Sequence, residues 1–418
     1  MADKNTTIPK GWKETTLEAV TDKIGDGLHG TPQYSNEGEY YFVNGNNIEN
    51  GRVKIKSDTG RVDEIEFIKY KKDLGQNTIL LSINGTIGNL AKYNNEKCIL
   101  GKSAAYINVN NETSLDFIYY VMLDSKFQRD ILKNANGSTI KNVSLAQLRN
   151  YNFCIPEFLE QRAIAAVLSS LDDKIELLRE QNKTLEATAQ TIFKEWFVNF
   201  NFPGATGKMI DSELGEIPEG WRVGGLIEDS ISEFVKTNID KFDGTKDYVE
   251  TANVNLSNFV GNFEKITYEE RASRANMQPV ANSIWFARMA ESRKYLLFQE
   301  RDWQNIETKI LSTGFAGIRC IKDYLYFYWC FILSNTFNNL KNQFAEGAVQ
   351  VAISNEGIQR ILLALPPKEI VQKFTETVSS CFEKISNNNS QIQTLSALRD
   401  TLLPKLMKGE VRVKGFKD

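Results

Sequence analysis

The stretch that decides the fold is "IPEFLEQRAIAAVLSSLDDKIELL", residues 155–178. After the proline, apolar side chains recur at alternating steps of four and three residues, which is the spacing of a helix that packs along a second helix. The same alternation continues past this stretch as far as Trp196. The predicted seam contains Ile164, Leu168, Leu171, Ile175, Leu178, Asn182 and Leu185. The sequence therefore predicts a long helix with a coiled-coil seam.

A second seam of the same spacing follows Pro366. It contains Phe374, Val378, Ile385, Asn388, Ile392 and Leu395. We predict that the two helices pack antiparallel, in a register that places Asn182 opposite Asn388 and Trp196 opposite Phe374. A buried Asn pair can fix such a register at some cost in stability. The alternative is that each Asn faces solvent at a local break in packing.

The helical seams belong to a larger internal repeat. "IPKGW" at residues 8–12 returns as "IPEGW" at 217–221, and Ser144 returns as Ser354 after 210 residues. Asn47 and Asn253 align between these landmarks. Repetition at a fixed spacing indicates one scaffold used twice. The predicted class is α+β, with mixed α/β domains at 1–155 and 207–365, and with long antiparallel coiled-coil helices in 156–206 and 366–418.

The composition argues against catalysis by this chain. It has a formal net charge of −3, one histidine (His29) and five scattered cysteines. A metal cluster or a histidine-based triad is hard to build from one histidine. "GDGLHG" at 25–30 fits a dinucleotide motif by spacing, but it runs into "TPQY" and not into a helix. The longest apolar run, 324–333, is about half of what a membrane span needs. Unpaired cysteines and the lack of a leader sequence predict a cytoplasmic protein.

Two divergent mixed domains, each closed by Ile-Pro or Leu-Pro and a long helix, resemble the specificity subunit of type I restriction-modification systems. The motifs that carry this resemblance are "IPKGW", "IPEGW", "NGTIG" (84–88), the 155–178 stretch and "LSALRDTLLPKLMKGEVRV" (395–413). The second copy departs from the first at one point, where Ile370-Val371 replace Glu160-Gln161. Any contact that Glu160 and Gln161 make with a partner is therefore in doubt for the second copy.

The resemblance implies that the mixed domains are target recognition domains, each reading one half of a split, asymmetric double-stranded DNA target. It implies that the helices set the spacing and dock two methyltransferase (modification) subunits, with restriction subunits completing the complex. It implies no cofactor and no metal in this chain, because S-adenosylmethionine, ATP and Mg belong to the partner subunits. Two alternatives remain: a specificity subunit for a fused restriction-methyltransferase partner, and a coiled-coil adaptor that binds only proteins.

Candidate DNA contacts lie in polar, glycine-containing loops and in two basic stretches, 126–149 and 271–301. Lys and Arg suit phosphates, and polar side chains suit base edges. The candidates are Thr31, Gln33, Tyr34, Asn84, Thr86, Lys102, Lys133, Lys141, Arg274, Arg288, Arg293 and Lys294. The same stretches equally fit ordinary turns and solvated helix or strand faces.

Overall fold

The computed structural model describes residues 8–133, 141–261, 263–347 and 351–413. The chain divides into two compact units. Unit 1 contains the residues up to 177 and those from 391 onward, and unit 2 contains residues 178–390. The predicted division had four segments, with each long helix as a separate segment; in the structure both long helices contribute residues to both units.

Unit 1 contains a mixed α/β domain. Its strands are Lys13–Thr16 (β1), Thr21–Asp26 (β2), Tyr40–Val43 (β3), Ile48–Glu49 (β4), Arg52–Val53 (β5), Arg61–Val62 (β6), Thr78–Ser82 (β7), Leu90–Lys92 (β8), Cys98–Leu100 (β9), Ala104–Val109 (β10) and Asn152–Ile155 (β11). Its helices are Glu64–Tyr70 (α1), Leu115–Leu123 (α2), Ser125–Lys133 (α3) and Leu145–Arg149 (α4), and the long helix Phe158–Phe197 (α5) begins in this unit. Short 3₁₀ helices span Glu18–Val20 and Gly45–Asn47.

Unit 2 contains a second mixed domain. Its strands are Met209–Ile210 (β12), Ile217–Pro218 (β13), Arg222–Gly225 (β14), Ser232–Phe234 (β15), Lys246–Val249 (β16), Val254–Asn255 (β17), Asn258–Phe259 (β18), Glu264–Ile266 (β19), Ala275–Met277 (β20), Ser283–Ala287 (β21), Tyr295–Phe298 (β22), Lys309–Ser312 (β23), Phe315–Cys320 (β24), Ala345–Glu346 (β25), Ala352–Ile353 (β26) and Leu362–Leu365 (β27). Its helices are Trp303–Thr308 (α6), Leu325–Leu333 (α7), Asn335–Gln343 (α8) and Asn355–Gln359 (α9), followed by the long helix Lys368–Met407 (α10). Short 3₁₀ helices span Thr251–Asn253, Glu300–Asp302 and Lys322–Tyr324.

Each unit is built around a four-stranded antiparallel sheet that is buried on both faces. The order is β2-β10-β7-β8 in unit 1 and β15-β24-β21-β22 in unit 2. Successive side chains of a strand point to opposite faces. Ile79 and Leu81 of β7 accordingly join the core that contains α2, whereas Leu80 joins a smaller core beside β3 and β9. In unit 2, Ile284 of β21 joins the core that contains α7, whereas Trp285 joins a smaller core on the other face of the sheet. Burial on both faces explains why "TILLS" and "SIWFA" lack a polar alternation.

The repeated landmarks adopt the same local structure in each unit. Ser144 and Ser354 are N-caps, and their hydroxyls accept from the backbone N–H of the third residue beyond, at 3.2 and 3.1 Å. Asn47 and Asn253 close a 3₁₀ helix by accepting from a backbone N–H at 3.0 Å in both cases. The strand that follows each "GW" pairs antiparallel with the strand that ends before the proline.

Both repeated tryptophans, Trp12 and Trp221, are buried. Each lies beside the segment that follows the end of a long helix. In unit 2, the rings of Phe200 and Phe202 lie with their centroids 5.4 Å from that of Trp221. In unit 1, the backbone of Gly409 lies so close to Pro9 that an added Cβ would stand 2.7 Å from its ring. Only a residue without a side chain fits there unless the segment moves, and its φ of +65° also favours glycine.

Helices α5 and α10 are each 40 residues long, or about 60 Å. Within unit 2, Asn388 Nδ2 donates to Asn182 Oδ1 at 2.8 Å, and Trp196 and Phe374 lie with ring centroids 5.8 Å apart. The predicted antiparallel register is therefore confirmed in this unit. Within unit 1, Ile164 and Leu168 share a core with Leu403 and Leu406. Every predicted seam residue is buried or half-buried.

We expect Asn388→Ala to lower the free energy of unfolding by about 1–3 kcal/mol, because it leaves the buried Asn182 Oδ1 without its donor. Asn388 itself is fully buried. Chemical denaturation would measure the change. The matched control is Asn387→Ala, at an exposed position of the same helix, which should be nearly neutral. Equal stability of the two variants would show that the Asn pair contributes nothing.

Candidate nucleic-acid interface

Two corresponding hairpin loops project from the buried sheets. In unit 1 residues 83–89 join β7 to β8, and in unit 2 residues 288–294 join β21 to β22. The first residue of each loop pairs with the segment before a short helix: Val143 N donates to Ile83 O at 3.0 Å, and Ile353 N donates to Arg288 O at 2.9 Å. Both loops therefore start from a fixed position on a rigid sheet, as recognition loops commonly do.

The unit 1 loop contains two predicted contacts, Asn84 and Thr86, and Thr86 is exposed although its hydroxyl bonds within the protein. The hydroxyl of Thr86 donates to Gly45 O at 3.1 Å and lies 3.1 Å from Ser82 Oγ. Asn84 is half-buried and forms a backbone bridge with Asn142. Gln128 of α3 donates to Gly88 O at 3.0 Å from beneath. The hydroxyl of Thr86 thus stabilises the loop from within.

The segment 27–36 of unit 1 does expose its predicted contacts. The side chains of Thr31 and Gln33 are exposed, and Tyr34 is 54% exposed with its ring edge-on to Phe42. The backbone N–H of Gln33 donates to a carboxylate oxygen of the buried Glu66 at 3.0 Å. This contact fixes the backbone and leaves the side chains of Thr31, Gln33 and Tyr34 at the surface.

Two of the three glycines of "GDGLHG", Gly25 and Gly27, are required by packing. Gly25 lies within β2, and an added Cβ would stand 2.5 Å from the Tyr106 hydroxyl. At Gly27 an added Cβ would stand 2.1 Å from the Leu100 carbonyl oxygen. Because this motif does not open a helix after a strand, it is not a dinucleotide-binding loop.

Two predicted cations of unit 2 are structural. Arg288 donates to Ile353 O at 3.1 Å and to Asn355 Oδ1 at 2.7 Å, and burial lowers the pKa of its guanidinium. Lys294 Nζ donates to Thr251 O at 2.6 Å. Both side chains hold the 288–294 loop to its neighbours, and their role as DNA contacts stays a prediction.

The remaining predicted cations are exposed. They are Lys102, Lys133, Lys141, Arg274 and Arg293. Lys133 and Lys141 flank residues 134–140, which lie outside the described residues. In unit 2, the Arg274 guanidinium lies near Gly314, which follows β23. These five side chains have the charge and accessibility that phosphate contacts need.

Sequence reasoning missed the residues that hold these loops from behind. Lys341 of α8 is fully buried, and its Nζ lies 3.5 Å from Ala287 O and donates to Ser292 O. Burial lowers the pKa of Lys341 to about 8. A signal was present, because Lys341 stands on the helical repeat of Phe337 and Phe344, at spacings of four and three residues. A lysine on the apolar face of a helix becomes buried with that face, and its ammonium then needs buried hydrogen-bond acceptors.

Glu160 and Gln161 also have internal partners. Arg412 Nε donates to Glu160 Oε1 at 2.5 Å, and Arg412 Nη2 donates to Glu160 Oε2 at 2.7 Å. Gln161 Oε1 accepts from Ser114 N at 2.9 Å, and Gln161 Nε2 donates to Pro156 O at 3.0 Å. These side chains stabilise unit 1, so their absence from the second copy reflects a different internal packing.

Within the described ranges there is no group of three or more His, Cys, Asp or Glu side chains that could hold a metal ion. In the same residues, every helix is too short or too polar to cross a membrane.

Comparison with known proteins gives a consistent result. A family model described as the type I restriction modification DNA specificity domain matches residues 9–187. The MjaIX specificity subunit, a type I restriction enzyme component of Methanocaldococcus jannaschii, is 29% identical over 357 residues, covering 81% of this chain and 78% of that protein. The HindI specificity subunit of Haemophilus influenzae is 20% identical, covering 71% and 77%. A type I S subunit from M. genitalium shares the fold, with a TM-score of 0.53 at 18% identity over 97% of each chain.

Proposed function

Because this chain resembles type I restriction-modification DNA specificity subunits in sequence and fold, we propose that its two mixed domains each read one half of a split DNA target. The observation that carries the proposal is the pair of hairpin loops on equivalent sheets. Ser144 and Ser354 cap equivalent short helices, whereas the two hairpin loops have unrelated sequences, "INGTIGN" and "RMAESRK". One scaffold with two different reading surfaces suits an asymmetric target.

In this proposal the chain arose by duplication, and the long helices form a coiled coil that sets the distance between the half-sites. The helix pairing in unit 2, with Asn182 bonded to Asn388, supports this role. The exposed faces of α5 and α10 dock the methyltransferase subunits. S-adenosylmethionine, ATP and Mg act in the partner subunits, and this chain supplies the DNA sequence specificity.

Phosphate contact by the exposed cations gives a direct test on DNA. We expect Lys102→Ala in the first domain and Arg274→Ala in the second each to weaken binding by the assembled methyltransferase complex. Each should also reduce the slope of log affinity against log salt by about 0.9, because one released counterion is lost per contact.

The matched control is Lys208→Ala, an exposed cation of the linker that follows α5. It should leave the slope unchanged. Unchanged slopes for both Lys102→Ala and Arg274→Ala would contradict phosphate contact by these two side chains.

A further inference from the structure

The 288–294 loop of unit 2 is held by its neighbours along most of its length. Glu291 is fixed twice by Asn342, whose Oδ1 accepts from Glu291 N at 3.0 Å and whose Nδ2 donates to Glu291 Oε1 at 2.7 Å. Arg288 and Lys294 anchor its two ends. Glu291 has a φ of 58°, in the left-handed region that non-glycine residues rarely adopt. A backbone in that region persists when surrounding contacts hold it.

Lys341 is the central support of this loop. Its amine contacts the carbonyl oxygens at both the start and the middle of the turn, those of Ala287 and Ser292. Burying an ammonium is costly unless it is hydrogen-bonded, and burial here lowers the pKa of Lys341 despite the nearby Glu291 carboxylate. The side chain therefore binds the loop from beneath, as Gln128 binds the unit 1 loop.

Arg293 is the charged residue of the loop that this framework leaves free. The other three, Arg288, Glu291 and Lys294, are hydrogen-bonded within unit 2. Arg293 is exposed and makes no hydrogen bond or ion pair with any residue that the structure describes. A guanidinium presented on a rigid backbone loses little freedom on binding, which favours both affinity and discrimination.

We propose that Arg293 is a specificity-determining residue of the second recognition domain, and that Lys341 is the positioning residue that presents it. This inference rests on the proposed function. The ligand is a base edge in the major groove, and guanine suits it best because N7 and O6 accept both guanidinium hydrogens. The first domain reads by different chemistry, since its loop 83–89 contains no charged residue.

The test uses the full chain assembled with its methyltransferase subunits. Sites are mapped by N6-methyladenine sequencing for the wild type, Arg293→Ala, Lys341→Met, Lys341→Gln and Asn342→Ala, which removes a second support of the loop, and thermal stability is measured for each. Methionine matches the length of lysine without its donors, whereas glutamine restores N–H donors. Arg319→Ala is the control, because Arg319 is an exposed arginine of the same sheet that pairs with Glu233 away from this loop.

We expect Arg293→Ala to reduce discrimination at one base of the second half-site about tenfold, with the first half-site unchanged. Lys341→Met should relax the same position, and Lys341→Gln should restore most of the discrimination. Arg319→Ala should behave as the wild type.

Four results would overturn the inference. Uniformly weaker methylation by Arg293→Ala, with every base preference kept, would make Arg293 a phosphate contact. Loss of stability in Lys341→Met without a change in base preference would make Lys341 merely structural. If Lys341→Met does not fold, unchanged preferences in Arg293→Ala and Asn342→Ala decide against the proposal. A wild type that produces no split motif contradicts the proposed function itself, and the inference with it.

Discussion

Inserting one heptad into each long helix should abolish modification of the original sites, with an expected loss of at least about a hundredfold. Seven residues lengthen a helix by about 10 Å, or about 3 base pairs. The insertions belong between Leu178 and Arg179 and between Gln391 and Ile392, because each point lies three to four residues along its helix from Asn182 or Asn388, the bonded pair that defines the register. A whole heptad keeps both seams in phase.

The same seven residues inserted between Gly204 and Ala205, in the exposed linker after α5, are the control and should leave the sites unchanged. Methylation mapping reads out the gap between half-sites directly. Sites that keep their original gap after the paired helix insertions would contradict the role of helix length as a ruler.

Asp172→Ala should lower the free energy of unfolding of unit 1 by about 3 kcal/mol, which is roughly a hundredfold in the unfolding constant. Asp172 accepts from the Tyr120 hydroxyl and from Arg399, both at 2.8 Å. Tyr120 is 1% exposed, and burial and the Asp172 charge raise the pKa of its hydroxyl. Removing the carboxylate leaves a buried hydroxyl without an acceptor and weakens the pairing of a half-buried cation.

Urea denaturation would measure this effect, with Asp173→Ala as the control because Asp173 is the exposed neighbour on the same helix. Asp172→Asn should fall between the two, since the amide oxygen still accepts from Tyr120 but carries no charge. Equal stability of Asp172→Ala and Asp173→Ala would show that this network does not hold unit 1 together.

Sequence reasoning succeeded where structure depends on local spacing. The alternation of four and three residues predicted both long helices and the contact of Asn182 with Asn388, because helical periodicity places those side chains on one face. The longest apolar run, 324–333, contains all of the buried helix α7. Ser144 and Ser354, which the sequence identified only as landmarks of the repeat, cap their helices through contacts three residues away.

Sequence reasoning did not reveal the roles of side chains whose hydrogen-bond acceptors lie far away along the chain. Lys294 reaches a carbonyl 43 residues away, and Lys341 reaches one 49 residues away. The local sequence does not distinguish Lys294 from the exposed Lys102, whereas Lys341 stands on the apolar repeat of Phe337 and Phe344. The carboxylate of Glu160 likewise pairs with Arg412, 252 residues later. Charge identifies candidates for DNA contact, and only the three-dimensional pairing separates free cations from structural ones.

The central claim is that this chain directs a methyltransferase to a split DNA target. The most direct measurement is a genome-wide map of N6-methyladenine in cells that express the methyltransferase subunits with and without this chain. The account predicts a split, asymmetric motif that appears only when the chain is present. An assembled complex that adds no methylation, or a motif that is the same without the chain, would contradict it.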